Sequence, residues 1–205
     1  VQARRSVSLR YRWAGADEER TLSVEAFPDY DEIAVNKVVP LGGAPWPPAS
    51  GEVVLEASAK QVGDYAVGDV LEVETAEGEI VELTVAGFAH DINVVPAQFV
   101  GYETGYVSFD TMHDLGEPTA YNQLAVRLDD IDIPWAEASR TAADLREAVF
   151  EPAGVPVFYT DVPEPGSHFL GDIFSALSLL LLFLGALALG LSAFVMLGAG
   201  ANAAG

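Results

Sequence analysis

Cysteine is absent from this 205-residue chain, which excludes disulfide bonds and metal sites built on thiolates. Lysine is nearly absent too: only Lys37 and Lys60 occur among ten basic residues, while 31 residues are acidic. The formal net charge of −21 would repel phosphate, so we expect no nucleic acid partner and no polybasic contact with anionic lipid. Scarce lysine beside abundant acid is typical of salt-adapted proteins; an ordinary acidic extracellular domain is the alternative.

The motifs of common enzyme active sites are also missing. Gly42-Gly43 is not followed by the Gly-Lys-Ser/Thr of a phosphate-binding loop, and no serine lies in a Gly-x-Ser-x-Gly turn. The histidines His90, His113 and His168 do not have the spacing of metal ligands. We therefore predict that the chain is not an enzyme, with no catalytic, cofactor-binding or metal-binding residue and no cofactor.

Three short polar runs are the remaining candidates for acid–base chemistry or cation binding. They are His90 with Asp91, Asp129 with Asp130 and Asp132, and Asp29 with Asp31 and Glu32. Adjacent residues of a strand point to opposite faces, so His90 and Asp91 would not converge on one ion. The aspartate runs lack the glycine and the distal glutamate of an EF-hand loop. We favour structural roles for all three, as loop caps and solvated turns.

Charged residues disappear altogether at the C-terminal end. The last 33 residues, from 173 onward, contain no Asp, Glu, Lys or Arg, and residues 173–197 form one long apolar run. As a helix these 25 residues would extend about 37 Å, compared with about 30 Å of membrane hydrocarbon. We predict a transmembrane helix over 173–197, an extracytoplasmic region over residues 1–172 and therefore a protein of the cell membrane.

The segments beside this run complete the membrane prediction. Pro163, Pro165 and Gly166 indicate a short stiff connection, and we place the linker itself at 166–172. His168 and Phe169 lie where an interfacial anchor would be expected. Because the chain starts without Met and lacks stop-transfer charges, we expect residues 198–205 to be a truncated tail and the chain an internal fragment. Small residues in the apolar run favour packing against other membrane helices, with a lipid-facing anchor as the alternative. They are Gly185, Ala186, Ala188, Gly190, Ser192 and Ala193.

Alternating apolar residues predict a sheet in the first 109 residues. The runs 7–13 and 22–26 alternate on either side of a polar turn and predict a β-hairpin. The clearest pair lies within 68–88, where Leu71 and Leu83 would face the same side. The other expected segments are a third strand at 33–39, a loop at 41–52, an ambiguous strand or short helix at 53–61 and a strand at 106–109.

Farther along the chain, the spacing of apolar residues changes from every second residue to every third or fourth residue. A strand at 124–128, a helix that starts at Pro134, and a strand at 155–159 predict a β-α-β unit. This unit would pack beside the N-terminal strands. We therefore predict an α+β fold in which segments 1–48 and 120–165 form one layer and 49–119 is an inserted β-rich subdomain.

Several segments together carry a family pattern. They are Gly51-Glu52-Val53-Val54-Leu55-Glu56, then Gly68-Asp69-Val70, then Val85-Ala86-Gly87, and finally Tyr106-Val107-Ser108 followed by Asp110-Thr111. With this order and spacing, and with the β-α-β unit and the apolar run behind them, residues 20–197 resemble the extracytoplasmic domain and following helix of FtsX-like (MacB-like) ABC transporter permeases.

The resemblance implies a porter-like α+β layer with an inserted β-rich subdomain outside the membrane. It also implies a permease subunit that works as a dimer with a separate cytoplasmic ABC ATPase and with an extracytoplasmic protein partner in some systems. ATP hydrolysis would drive export, lipoprotein release or signalling through motion of this domain, and the family places no catalytic residue in this region. The alternatives are a C-terminally anchored extracellular binding domain without an ATPase partner and, less well supported, an anchored hydrolase.

Overall fold

The computed structural model describes residues 1–129, 132–164 and 169–203. The chain divides into two compact units, Val1–Asp129 and Asp130–Gly205. All strands of the described residues belong to the first unit, and the second unit is helical. The fold is therefore of the α+β class predicted from the sequence.

Eight strands and two short helices build the first unit. The strands are β1 (Gln2–Trp13), β2 (Arg20–Ala26), β3 (Val39–Leu41), β4 (Glu52–Glu56), β5 (Val70–Glu74), β6 (Ile80–His90), β7 (Glu103–Tyr106) and β8 (Gln123–Ala125). The helices are α1 (Ala97–Val100) and α2 (Phe109–Asp114), and a 3-10 turn over Ala57–Gln61 follows β4 directly.

Six of the strands pair into a closed ring, in the order β1-β2-β7-β4-β6-β5 and back to β1. The pairs β2–β7 and β4–β6 are parallel, whereas the other neighbours in the ring are antiparallel. Outside the ring, β8 pairs with the first residues of β1, and β3 pairs with the end of β6. Each strand of the ring is paired on both sides. The backbone N–H and C=O groups that an open sheet would leave unpaired at its edge strands therefore find partners within the ring.

The inside of the ring holds the main hydrophobic core. Leu22, Val24, Leu55 and Leu71 are fully buried there. Period-two alternation explains this, because one face of each strand points into the ring and the other points away. Gly105 of β7 keeps the interior wide enough, since a Cβ at this position would lie 2.7 Å from the Cγ2 atom of Val53.

A second, smaller core covers part of the outer face of the ring. Phe27, Tyr30 and Trp46, from the chain between β2 and β4, pack with Val54 and Tyr106. The rings of Tyr30 and Trp46 meet edge to face with centroids 4.8 Å apart, and those of Trp46 and Tyr106 are 5.5 Å apart. The Tyr30 hydroxyl donates to the carbonyl oxygen of Val107. Aromatic packing and a buried hydrogen bond therefore fix this segment on the sheet.

Both predicted hairpins are confirmed, with the expected faces. Leu9 of β1 lies opposite Leu22 of β2, and Leu71 of β5 lies opposite Leu83 of β6. The ambiguous segment 53–61 contains both alternatives, since a strand runs directly into a 3-10 turn.

Two predicted strands were placed wrongly. The third strand is restricted to Val39–Leu41. The strand expected at 106–109 ends at Tyr106, because Ser108 instead caps α2 and accepts the Thr111 N–H at 3.2 Å. A short polar cap therefore outweighs the apolar residues that suggested a longer strand.

The predicted subdomain boundaries fall inside the first unit. Strands of segment 1–48 and strands of segment 49–119 share the closed ring, and β8, beyond residue 120, pairs with β1. Residues 1–129 thus have one continuous sheet. The separate porter-like layer of 1–48 and 120–165, with 49–119 as an inserted subdomain, stays a prediction.

The second unit contains the helices α3 (Trp135–Leu145) and α4 (Phe169–Ala203). As predicted, α3 begins directly after Pro134; it continues into a π-helical turn over Arg146–Phe150. The helix α4 includes all of the predicted span 173–197 and the end of the predicted linker. Within the part of the chain that the structure describes, no helix is both long and apolar enough to cross a membrane. The predicted linker residues Pro165, Gly166 and His168 lie outside the described residues.

The predicted β-α-β unit is incomplete. Its helix is present, and its first strand, predicted at 124–128, is restricted to Gln123–Ala125. The described segment 155–160 has no regular secondary structure, so the strand predicted at 155–159 was wrong. Phe158 and Tyr159 are 94% and 81% exposed. Alternation of apolar residues suffices for a strand only where a neighbouring strand pairs the backbone groups and covers one face.

Candidate functional site

A cleft of about 500 Å³ opens at one end of the ring. Because β2 and β7 are parallel, their first residues, Arg20 and Glu103, lie at the same end, where the antiparallel β1 finishes. The turn between β1 and β2 supplies Glu18 and Glu19, and β1 adds Arg10. The volume is in the range of about 300–1,000 Å³ that is usual for small-molecule sites.

Glu103 is the buried charge at the cleft, with only 3% of its surface exposed. Its Oε1 atom accepts hydrogen bonds from the Tyr65 hydroxyl at 2.8 Å and from Arg20 Nη1 at 3.2 Å. The Tyr65 hydroxyl also contacts the Tyr11 hydroxyl. Since the single proton of Tyr65 goes to Glu103, Tyr11 must donate to Tyr65, and a relay Tyr11–Tyr65–Glu103 results. Burial raises the pKa of Tyr65 to about 12, so the relay keeps its protons at neutral pH.

Aromatic packing holds this relay in place. The rings of Trp13 and Tyr65 stack with centroids 4.3 Å apart, and the Arg20 guanidinium lies 5.3 Å from the Trp13 ring. Gly63 makes room for the stack, because a Cβ there would lie 2.5 Å from Trp13 Cη2. The Glu103 carboxylate is thus held by residues that are themselves fixed by packing.

Arg20 is held by three protein groups. Its Nη1 atom also donates to the carbonyl oxygen of Val62 at 2.9 Å, and its other nitrogens contact the Glu18 carboxylate at 3.1 Å. Arg10, at the rim, pairs with Glu74 at 2.9 Å and lies 4.0 Å from Glu19. Two arginines therefore face four carboxylates in and around the cleft, and the site carries a net negative charge.

A second polar cluster lies on the outer face of the ring. The Tyr106 hydroxyl donates to Asp91 at 3.0 Å, and Arg4 pairs with Glu25 at 3.0 Å. Burial raises the pKa of Glu25; the ion pair with Arg4 opposes this shift, and the nearby Asp91 charge adds to it. Burial, followed by the charges of Asp91, Glu25 and Glu56, raises the pKa of Tyr106. In this cluster, burial therefore disfavours the ionised forms of Glu25 and Tyr106.

The structure places the residues that the sequence suggested as candidates in separate positions. His90 is exposed at the end of β6, and its Nδ1 atom is 3.6 Å from Glu56. Asp91 is buried and accepts the Asn93 N–H at 2.8 Å, which is the capping role expected for it. Asp29 accepts the backbone N–H groups of Asp31 and Glu32 and so forms a turn.

The remaining candidates do not form a site among the described residues. His113 lies exposed in the last turn of α2, Asp129 and Asp132 are exposed, and Asp130 lies outside the described residues. Considering only described side chains, no group of three or more His, Asp or Glu residues is arranged to hold a metal ion.

The cleft could not be predicted from the sequence because its residues are distant in the chain and belong to no motif. Arg20 and Glu103 are separated by 83 positions and meet only through the parallel pairing of β2 with β7. One signal was available: Glu103 is the one charged residue of a short strand whose other members are Thr104, Gly105 and Tyr106, an unusual place for a carboxylate.

Comparisons with known proteins give likenesses of shape alone. No protein-family model matches the chain, and no curated protein sequence matches it. One similar solved structure is the extracellular domain of the noncanonic ABC-type transporter YknZ from Gram-positive bacteria, with 13% identity, a TM-score of 0.48 and 76% of each chain covered. Another is a domain of a protein described as a permease from Porphyromonas gingivalis, with 10% identity, a TM-score of 0.42, and 84% of this chain and 77% of that chain covered. Both TM-scores are below 0.5.

Proposed function

We propose that this chain is the extracytoplasmic region and following membrane helix of an ABC transporter permease subunit of the FtsX-like or MacB-like type. The subunit would be non-catalytic, would act as a dimer, and would couple a separate cytoplasmic ATPase to export, lipoprotein release or signalling. An extracytoplasmic protein would be a further partner.

The observation that carries the proposal is the sequence of regions along the chain. A folded acidic unit with a closed sheet comes first, and a helix of 35 residues, Phe169–Ala203, follows it. The assignment of residues 173–197 to the membrane rests on the sequence, which has no charged residue from 173 to 205. Residues 1–172 would then lie outside the cell membrane.

The residues that resemble the family also have clear structural reasons to be where they are. Gly51 precedes β4 with φ +76° and Gly68 precedes β5 with φ +97°, conformations that glycine adopts without strain. The strand β4 then lies between β6 and β7 in the ring, so three motif segments are neighbours in space. A pattern with this physical basis supports membership of a family that shares the fold.

The decisive experiment measures ATP-driven motion in the membrane-embedded complex. The chain has no cysteine, so Ala76→Cys, in the exposed β5–β6 turn, gives a single spin-label site on each copy of the dimer. We expect the distance between labels to differ between the ATP-bound and ADP-bound complexes. Insertion of a flexible Gly/Ser stretch after Gly166 should remove that difference while ATP hydrolysis continues.

The same insertion after Gly78, within the β5–β6 turn, is the control and should leave both motion and hydrolysis unchanged. A complex without the insertion whose label distance does not respond to nucleotide would contradict the proposal.

The cleft favours one alternative, a C-terminally anchored extracellular binding domain without an ATPase. A site of about 500 Å³ with a buried charge is suited to binding. The two functions differ in composition: purification from native membranes would recover an ABC ATPase with a permease, whereas an anchored binding domain would be recovered without one.

A further inference from the structure

We propose that the cleft at the end of the ring is a binding site for an organic cation, namely a guanidinium or ammonium group presented by a free amine or by a basic peptide. The inference stands on the geometry of the cleft and does not depend on the permease function.

The charges around the cleft favour a cation over an anion. Glu18, Glu19, Glu74 and Glu103 surround Arg10 and Arg20, and the chain as a whole carries a net charge of −21. An incoming cation would therefore be attracted both by the local field and by that of the whole protein.

The hydrogen-bond inventory leads to the same conclusion. Four contacts of Arg20, to Glu18, Glu103 and the Val62 carbonyl, use most of its five N–H donors inside the protein. Carboxylates are acceptors only, and each can accept several hydrogen bonds. The protein partners of Glu103 both bind Oε1. Acceptor capacity therefore exceeds donor supply, and the complementary ligand is a donor-rich cation.

Glu103 makes this a built site and not simply an acidic patch. The residue is 3% exposed and lines the cleft, and its carboxylate is held by Tyr65, which is in turn stacked on Trp13. Charge-assisted hydrogen bonds to a preorganised, partly desolvated carboxylate are stronger than those on an open surface. An organic cation fits better than a metal, since no described group of three carboxylates or histidines can surround an ion.

Trp13 provides a direct reporter for the test, because it stacks on Tyr65 and lies 5.3 Å from Arg20. The full chain in detergent, with the exposed Trp135 replaced by Phe, is titrated with agmatine and with the peptide acetyl-Gly-Arg-Gly-amide. Calorimetry on the same samples measures binding independently of fluorescence. We expect a saturable change in tryptophan fluorescence with at least one of these probes, and we assign it to Trp13 because Trp46, the other remaining tryptophan, packs in the second core and does not line the cleft. Binding of agmatine alone would identify a free amine as ligand, and binding of the peptide alone would identify a basic segment of a partner.

Two comparisons test whether binding depends on the positive charge of the ligand and on the negative charge of Glu103. The neutral peptide acetyl-Gly-citrulline-Gly-amide has nearly the same shape as the arginine peptide and should bind at least about tenfold more weakly. Glu103→Gln should weaken cation binding by about tenfold or more, whereas Glu117→Gln, which removes a carboxylate paired with Arg5 away from the cleft, should leave it unchanged.

If Glu103→Gln does not fold, the exposed pair Glu18→Gln and Glu19→Gln keeps the test available, and we expect binding several-fold weaker with the fold intact. Equal binding of the arginine and citrulline peptides, or no saturable signal with either cation, would overturn the proposal.

Discussion

The two compact units of this chain differ in how far their apolar side chains are buried. In the first unit, Leu22, Leu55 and Leu71 are fully enclosed by the ring. In the second unit, all eleven residues of α3 are described and none is buried, and Phe158 and Tyr159 are almost fully exposed. Apolar residues therefore form a core in the first unit, whereas those of α3 and of segment 158–159 in the second unit are not buried.

The difference follows from how strands and helices find partners. In the β1–β2 and β5–β6 hairpins, the paired strands follow each other directly along the chain. Closing the ring then encloses one face of each strand. An amphipathic helix has satisfied backbone groups but needs a separate surface to cover its apolar side. A single-chain structure can therefore complete a closed sheet and still leave a helix face open.

The largest expected contrast comes from one substitution made in both units. Leu22→Ala removes a fully buried side chain and should lower the free energy of unfolding by about 2–5 kcal/mol. Leu145→Ala, on the partly exposed α3, should change it by less than about 1 kcal/mol. Urea unfolding of the full chain in detergent is followed by the fluorescence of Trp13 and Trp46, which lie in the first unit, and of Trp135, which lies in the second. Equal losses would show that the second unit is as tightly packed as the first.

A smaller difference in the free energy of unfolding is expected between two Tyr→Phe substitutions, one in each unit. Tyr65→Phe removes the hydroxyl that donates to the buried Glu103 and should cost about 1–3 kcal/mol of stability. Tyr159→Phe, at a position 81% exposed, should stay within about 0.5 kcal/mol of the wild type. The same unfolding measurement checks both. An unaffected Tyr65→Phe variant would mean that the relay contributes nothing to the fold.

The smallest effect concerns pH and is confined to the first unit. Because the folded-state pKa of Glu25 is raised above its usual 4.5, the ionised form costs stability above the folded-state pKa. Lowering the pH through that pKa protonates Glu25 in the folded state first, so its contribution to stability rises until the pH reaches about 4.5.

Glu25→Gln should therefore flatten the dependence of the unfolding free energy on pH in this range, relative to the wild type. The exposed Glu151 of the second unit provides the matched control, Glu151→Gln. Parallel pH profiles for the wild type and Glu25→Gln would remove Glu25 as the source of the effect.

The parts of the fold predicted from the sequence are those controlled by local pattern. The alternation in β1, β2, β5 and β6 fixed both hairpins, and Pro134 marked the start of α3. The strand predicted at 155–159 failed because its alternation had no pairing partner. The closed ring itself could not be predicted, since it depends on the parallel pairing of β2 with β7, far apart in the chain.

The site was not predicted for the same reason, because it also depends on residues far apart in the chain. The candidates suggested by the sequence were adjacent polar residues such as Asp29 and Asp31, which the structure uses in a turn. The cleft instead combines Arg20, Tyr65 and Glu103, which are far apart in the chain and share no motif. Their chemistry depends on burial and on long-range register, neither of which is a property of a short segment.

The central claim, that the first unit lies outside a membrane which the apolar helix crosses, is tested most directly by cysteine accessibility. Single cysteines are introduced into the cysteine-free chain as Ala76→Cys, in the exposed β5–β6 turn, and Leu182→Cys, in α4, where the leucine is 73% exposed in the isolated chain. Intact cells are then treated with a membrane-impermeant maleimide. We predict that the cysteine at 76 is labelled in intact cells and that the cysteine at 182 is labelled only after the membrane has been dissolved and the chain denatured. Labelling of both positions in intact cells, or of neither, would contradict the account.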